Sequence, residues 1–538
     1  MPAKATPIIQ GVFHVLEYFG KVCVMEEKRV LGLPLTALLI IGLAAVKVTI
    51  HLLTGTTYGY FSDELYTIAM SRHLAFGYLD LPPLVPALVA LTRAVLGDSL
   101  FALHIVPAFA GAGTLVFVCL ITREMGGKLF AIGLSGLAFI AVPLWLTIDS
   151  FFCYDSIDQL VLASFLYVLV RFLKSGKKKS WILLGVLAGA ACMAKPTILF
   201  MVPGFIIALL FSKHRKHFLT PWPWIAVGLF VLAVSPYLIW QHVNGWPTAE
   251  YWLKYRSNAY HYNLWEFLIN IILTMNPLLF PLILAGAYRI FRRFGDTSYR
   301  FLGIMFLTTL AVIFFTKGRN FMVLNLYIPI IAAGAILLEE ALTGPGLKKA
   351  ARAAAFVYLT AAGALVAPAN LQIVPIDGLR AWADRFGFLY QSVKDYTYTK
   401  PEIPQEFAMR IGWENLVQAV ARVYHELSSE DRAKAGIWAD WYGPAGAIDL
   451  FGPRYGLPHA VSGHKTYYLW GPGEYSWDVM IVVTSINTRN FLMSYLTMDL
   501  KDVVQNEHAM PWDKEIGIYV CKNLAASKEG LWEAMRLY

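Results

Sequence analysis

The chain has 538 residues, 57% hydrophobic and 15% charged, with 45 Lys and Arg against 36 Asp and Glu for a formal net charge of +9. Soluble domains carry about a quarter charged residues, so a mean hydropathy of +0.54 excludes a single water-soluble globule, and disorder with it. The apolar residues come as repeated long runs with the basic excess in the short loops between them, which defines a polytopic membrane protein and assigns the positive charge to topology and not to nucleic acid.

Residues 1–32 are charged and mixed, show no cleavable signal peptide, and are expected in the cytoplasm. Spanning runs are predicted at 33–53, 100–121, 129–147, 157–173, 222–240, 264–290, 299–316, 321–340 and 350–370. The apolar stretch 181–211 is broken by Lys195-Pro196, and a proline there ends a helix. Each half is about 15 residues or about 22 Å, short of the roughly 30 Å hydrocarbon core. We therefore read two short helices with Lys195 at a recessed turn. Residues 82–97 contain Arg93 and read as a helix lying in the interface, within a first extracytoplasmic loop spanning 54–99.

This gives eleven spans and two sets of loops. One set (the N-terminus and the segments around 123–128, 171–179, 213–216, 289–300 and 348–352) holds 21 basic residues. The other holds 7: Arg72, Arg93, Lys195, Lys254, Arg256, Lys317 and Arg319. The positive-inside rule then puts the N-terminus in the cytoplasm of a multi-pass cell-membrane protein. The membrane part is read as 33–375. Residues 376–538 change composition: Val479–Val483 and Ile516–Cys521 are strand-length, Leu416–Leu427 has helical spacing, and Gly436–Trp438 leads into a Gly-rich turn before Ala445–Leu450. They read as a small extracytoplasmic α/β domain. The five cysteines (Cys23, Cys119, Cys153, Cys192, Cys521) are scattered and form no disulfide or thiolate-metal pattern.

The outer loops also carry most of the acidic residues near the membrane. Asp63 and Glu64 open an amphipathic stretch with Phe61, Leu65, Ile68 and Phe76, placed to lie against the membrane. Asp80 stands before Pro82-Pro83, Asp155 and Asp158 lie in FFCYDSIDQL, and Lys317 and Arg319 in TKGRN. Each has a plainer reading: a wetted helix start for Asp63-Glu64, a turn residue for Asp80, a solvated loop for Asp155, snorkelling for Lys317 and Arg319. Lys195 is harder to dismiss, because a short hairpin leaves it no stem to the surface. Acids and bases gathered on one face favour one shared polar cavity, suited to a reaction that takes a proton and releases an anion. No Gly-rich nucleotide signature is present in the membrane part. His51, His73 and His261 lie near the outer face without ligand spacing, so the need for a divalent metal stays open.

GYFSDELY, GYLDLPPL, SIDQL, GVLAGAACMAKPT and KGRNFMVLNLYIPIIAAGA resemble the bacterial relatives of dolichyl-phosphate-mannose–protein mannosyltransferases (glycosyltransferase family 39). Their GT-C superfamily also holds the aminoarabinose transferases of lipid A and the Rgt-type lipopolysaccharide transferases. The resemblance covers roughly residues 55–370, and YGPAGAIDLFGPRYGLPHAVSGH and WGPGE look like one bacterial subgroup. It implies an α-helical membrane fold and inverting transfer of a sugar from a polyprenyl-phosphate donor to an acceptor hydroxyl of a glycan, lipid or protein on the outer face. It implies Asp63 as base with Glu64 beside it, Asp158 or nearby Asp155 as the second-loop acid, and Lys195, Lys317 and Arg319 at the lipid phosphate. Arg256 joins these as a candidate phosphate contact, with Asp80 and Asp155 lining the cavity. One position departs: many relatives have a basic residue or His before the paired prolines, where this chain has Leu81. Two other classes are a transporter, for which no internal repeat is seen, and a non-catalytic glycan-binding subunit, which would need no base at Asp63.

Overall fold

The computed structural model describes residues 29–30, 33–258, 263–293, 295–389, 402–486 and 491–537. Most of the N-terminal segment 1–32, with Cys23, lies outside the described residues, and so does His261. A short hairpin, Arg29–Val30 (β1) with Leu33–Pro34 (β2), leads into the first span. Seven of the expected spans are helices long and apolar enough to cross a membrane by themselves: Leu35–Thr54, Leu100–Glu124, Tyr154–Ser175, Pro221–Val243, Ser298–Phe315, Asn320–Ala341 and Leu347–Ala369. The other four segments are short or bent.

The bends have identifiable causes. Between Ser180–Ala194 and Ile198–Leu210, Lys195 is extended (φ −158°, ψ 132°), as a residue before proline must be. The run 264–290, read from sequence as one span, is two helices at 88°. Its corner is Asn276, at φ 70°, whose amide donates to the Ala141 and Ala362 carbonyls at 3.0 and 3.1 Å and caps Leu278 N–H. Likewise 129–147 breaks into Leu129–Ile140 and Pro143–Ile148.

Packing in the bundle relies on small residues where helices cross. A Cβ on Gly286 would stand 1.9 Å from the Ile330 carbonyl oxygen, and one on Gly185 2.5 Å from that of Ala226; close backbone approach of this kind supplies dispersion contact in lipid, where apolar burial alone does not. Outward faces such as Val227, Val231, Leu232 and Ile239 remain exposed and apolar, as a lipid-facing surface requires.

Beyond the last span, five strands form one sheet in the order β4-β3-β5-β7-β6. These are Gly436–Ala439 (β3), Ala460–Val461 (β4), Val479–Ser485 (β5), Tyr495–Gln505 (β6) and Glu515–Leu524 (β7). Strand β3 pairs parallel with β4 and β5, while β7 runs antiparallel between β5 and β6. The central strands β3 and β5 are buried on both faces, which accounts for their continuous apolar runs. Trp413–Glu426 is the helix expected from 416–427, whereas the Gly-rich segment after β3 is helical, Tyr442–Phe451, and not a turn.

The first-loop helix Ser62–Arg72 does not lie on a membrane surface. Leu65, Tyr66, Ala69 and Met70 enter the same core as Val417, Ala445, Ile448 and Ile481 of the C-terminal domain. Helix Tyr442–Phe451 crosses it so closely that a Cβ on Gly446 would meet Leu65 at 3.0 Å. With each buried Leu or Ile contributing about 1.5–3 kcal/mol, this core fixes the loop's carboxylates between the bundle and the sheet domain.

Candidate active site

The loops of the set poor in basic residues converge at one end of the bundle on a cavity of about 650 Å³. Of the residues singled out from sequence, Asp63, Asp80, Asp155, Asp158, Lys195 and Arg319 line it, together with Leu81 and Lys254. Glu64 and Lys317 do not. Arg256 belongs to helix Pro247–Asn258, but its side chain lies outside the described residues.

Asp63 and Glu64 are consecutive in a first helical turn, so their side chains diverge by about 100° around the axis. Asp63 faces the cavity, with Oδ1 accepting from the Tyr442 hydroxyl at 2.6 Å and Oδ2 from that of Tyr154 at 3.3 Å. Glu64 turns into the protein and is fully buried. It meets His104 Nε2 at 2.9 Å and accepts from Phe152 N–H at 3.0 Å and Phe61 N–H at 3.3 Å. Burial works against the Glu64 charge, but His104, the Phe152 N–H and Arg410 together hold its carboxyl below the ordinary range. Arg410 is itself buried, its guanidinium donating to Ser150 Oγ at 3.0 Å, and burial brings it down to about 10.

Across the cavity Lys195 Nζ donates to Asp155 Oδ1 at 2.5 Å and lies over the rings of Tyr154 at 4.6 Å and Phe321 at 5.0 Å. Asp158 Oδ2 accepts from Thr197 at 2.7 Å, while its Oδ1 is buried with no hydrogen-bond partner among the described residues. Lys195 thus meets any bound anion with its charge partly offset by Asp155, and Arg319 adds a second cation to the same wall. Lys317 occupies the turn just before, in the left-handed region at φ 59°.

The C-terminal domain closes the remaining side with residues that sequence reasoning did not single out: Tyr442, His464 and Lys465. Asp80 accepts from Tyr66 at 2.8 Å and pairs with Lys465 Nζ at 3.0 Å. Burial and the anionic Asp63 push the Tyr442 hydroxyl well above its usual value, so it stays a donor. Burial also opposes the charge on Lys465, but Asp80, Tyr442, Tyr251 and Asp63 together outweigh it and the ammonium is retained. His464 is pushed down to about 3 by burial and by Lys465, and is neutral. The signal for Tyr442 and His464 was the Gly-rich tail motif that spans both.

Among the described residues no group of three or more His, Cys, Asp or Glu side chains could hold a metal ion. His51 sits inside the bundle against the Lys47 and Leu146 carbonyls, and His73 stacks on Trp470.

A family model described as dolichyl-phosphate-mannose-protein mannosyltransferase matches residues 80–240. No curated protein sequence matches the chain significantly. Among solved structures, ArnT from Cupriavidus metallidurans bound to undecaprenyl phosphate is 14% identical, with a TM-score of 0.52 over 90% of this chain and 97% of that one. The S. cerevisiae protein O-mannosyltransferase Pmt1-Pmt2 complex bound to the sugar donor is 19% identical over 44% of this chain and 34% of that one, with a TM-score of 0.29. Segment match and fold together define a multi-pass membrane glycosyltransferase. Residues 80–240 are thus similar to the protein-mannosyltransferase family, and the chain as a whole shares the fold of ArnT and carries a C-terminal α/β domain.

Proposed function

We propose that the enzyme transfers a sugar from a polyprenyl-phosphate donor to an acceptor hydroxyl at the outer face of the membrane, with inversion and with Asp63 as the base. The observation that carries this reading is the meeting of Asp63 with Lys195 and Arg319 in one cavity at the loop end of an apolar bundle. ArnT, whose fold the chain shares, was solved with undecaprenyl phosphate, which supports a lipid phosphate as the donor's anchor.

A sugar or side-chain hydroxyl is a poor nucleophile, so Asp63 accepts its proton as the oxygen attacks the anomeric carbon. The bond from that carbon to the phosphate oxygen breaks in the same displacement, and the polyprenyl phosphate leaves with the electron pair. Lys195 and Arg319 offset the charge it gains, the first as a point charge and the second as a planar fork. One displacement with no enzyme nucleophile inverts the anomeric centre. The acceptor is a hydroxyl of a glycan, lipid or protein.

Purified enzyme given a panel of polyprenyl-phosphate sugars should release polyprenyl phosphate with one of them. In a donor-analogue titration Arg319→Ala should lose roughly tenfold in affinity, and Lys317→Ala less, because Lys317 does not line the cavity. No release with any lipid-phosphate sugar would count against the donor class. Equal affinities for both variants and the parent would remove Arg319 from the phosphate site.

We further propose that the N-terminus is cytoplasmic, that residues 33–375 form the catalytic membrane part, and that the domain at 376–538 is extracytoplasmic. The convergence of the basic-poor loops on one cavity supports this arrangement. Reporters fused after Lys179 and after Asp377 should then report opposite compartments, and the same compartment for both would defeat it.

A further inference from the structure

The contacts around Asp63 reach beyond the membrane part. Tyr442 opens the helix that follows β3, and Lys465 stands at a turn after β4 with φ 52°, a left-handed position that costs a residue with a side chain on the order of 1 kcal/mol. Both side chains nevertheless converge on the first-loop carboxylates. The Tyr442 ring is held on several sides: Lys465 Nζ lies 4.4 Å from its centroid, the His464 ring stacks at 5.2 Å and 9°, and Tyr66 packs at 4.8 Å. Lys465 is anchored in turn by Asp80 at 3.0 Å. Tyr66 ties the same Asp80 to Thr466, the residue after Lys465.

We propose that the C-terminal domain completes the active site, with Tyr442 as the positioning residue for Asp63 and Lys465 as the residue that holds Tyr442 in place. This rests on the reading of Asp63 as base. A carboxylate turns about a soft, two-fold torsion, and a base that must meet an incoming hydroxyl gains from having one oxygen fixed. A 2.6 Å bond from a phenol that keeps its proton is in the range of a charge-assisted O–H···O⁻ contact. It fixes Oδ1 and leaves Oδ2, with its longer 3.3 Å contact to Tyr154, as the oxygen presented to the acceptor. Lys465 also places a positive charge between Asp63 and Asp80, which eases their mutual repulsion.

The test uses the full-length enzyme. Tyr442→Phe keeps the ring and removes only the donor, so kcat should fall roughly tenfold while donor KM and the thermal unfolding midpoint hold. In an Asp63→Asn background the same substitution should cost nothing further, because the group it positions is gone. Lys465→Gln keeps a donor for Asp80 but removes the charge over the ring, and should show the same split; it carries the test if Tyr442→Phe fails to fold. Normal kcat in the folded variants, or an equal loss in the Asp63→Asn background, overturns the positioning role. Normal transfer by Asp63→Asn itself overturns the base assignment instead, so the two failures are distinguishable.

Discussion

Asp63→Asn should lower turnover roughly 100-fold or more while leaving donor affinity near that of the parent. The substitution keeps size and shape, and its amide oxygen can still accept from Tyr442, so the local structure has little reason to change. What is lost is the capacity to take a proton from the attacking hydroxyl. The cations proposed for the phosphate, Lys195 and Arg319, come from other loops, and Lys195 is held by Asp155. Single-turnover transfer measured beside a donor titration separates the two effects. Asp158→Asn is the companion variant, because that carboxylate lines the cavity with one oxygen unpartnered among the described residues. Near-normal transfer by folded Asp63→Asn would make Asp63 an anchor for Tyr442 and move the base to Asp158.

The spans were legible because a bilayer imposes a length and a composition that any reader of the sequence can count. The 88° corner at Asn276 was not, since it depends on two carbonyls from helices far away in the chain. Strand β6 escaped for a different reason. It is an edge strand whose Asp499, Lys501 and Asp502 interrupt the apolar pattern, and edge charges of this kind guard against pairing with another chain. In the site, grouping the loops by their basic content put Asp63, Asp80, Asp155, Asp158, Lys195 and Arg319 together, and these six line one cavity. It could not separate Asp63 from Glu64, or Arg319 from Lys317, because neighbours on one turn differ only in direction. Nor could it reach Tyr442 and Lys465, whose partners Asp63 and Asp80 lie several hundred residues away.

Glu64 is where that missing direction has its largest consequence. Paired in sequence with the proposed base, it reads as a second catalytic acid, yet it is fully buried against His104, the Phe152 N–H and the Phe61 N–H. Glu64→Ala should therefore act on folding, at about 3–5 kcal/mol, because it leaves the buried Phe152 and Phe61 N–H groups without their acceptor and the buried Arg410 guanidinium without a compensating carboxylate. Glu64→Gln keeps an acceptor for Phe152 N–H and should cost less, about 1–3 kcal/mol. The sign of the pH dependence follows from the lowered carboxyl. A group held below its unfolded value contributes its full stabilisation above that value, 4.5 for this carboxyl, and loses it as pH falls through the folded one. The stability gap between parent and Glu64→Gln should accordingly be widest near neutrality and close as the solution is acidified below 4.5. Thermal unfolding of both variants across that range, with transfer assayed where each is folded, decides the matter. An unfolding midpoint for Glu64→Ala equal to the parent's would show that this carboxylate does not hold the loop. Complete loss of transfer in a fully stable Glu64→Gln would put Glu64 into the chemistry beside Asp63.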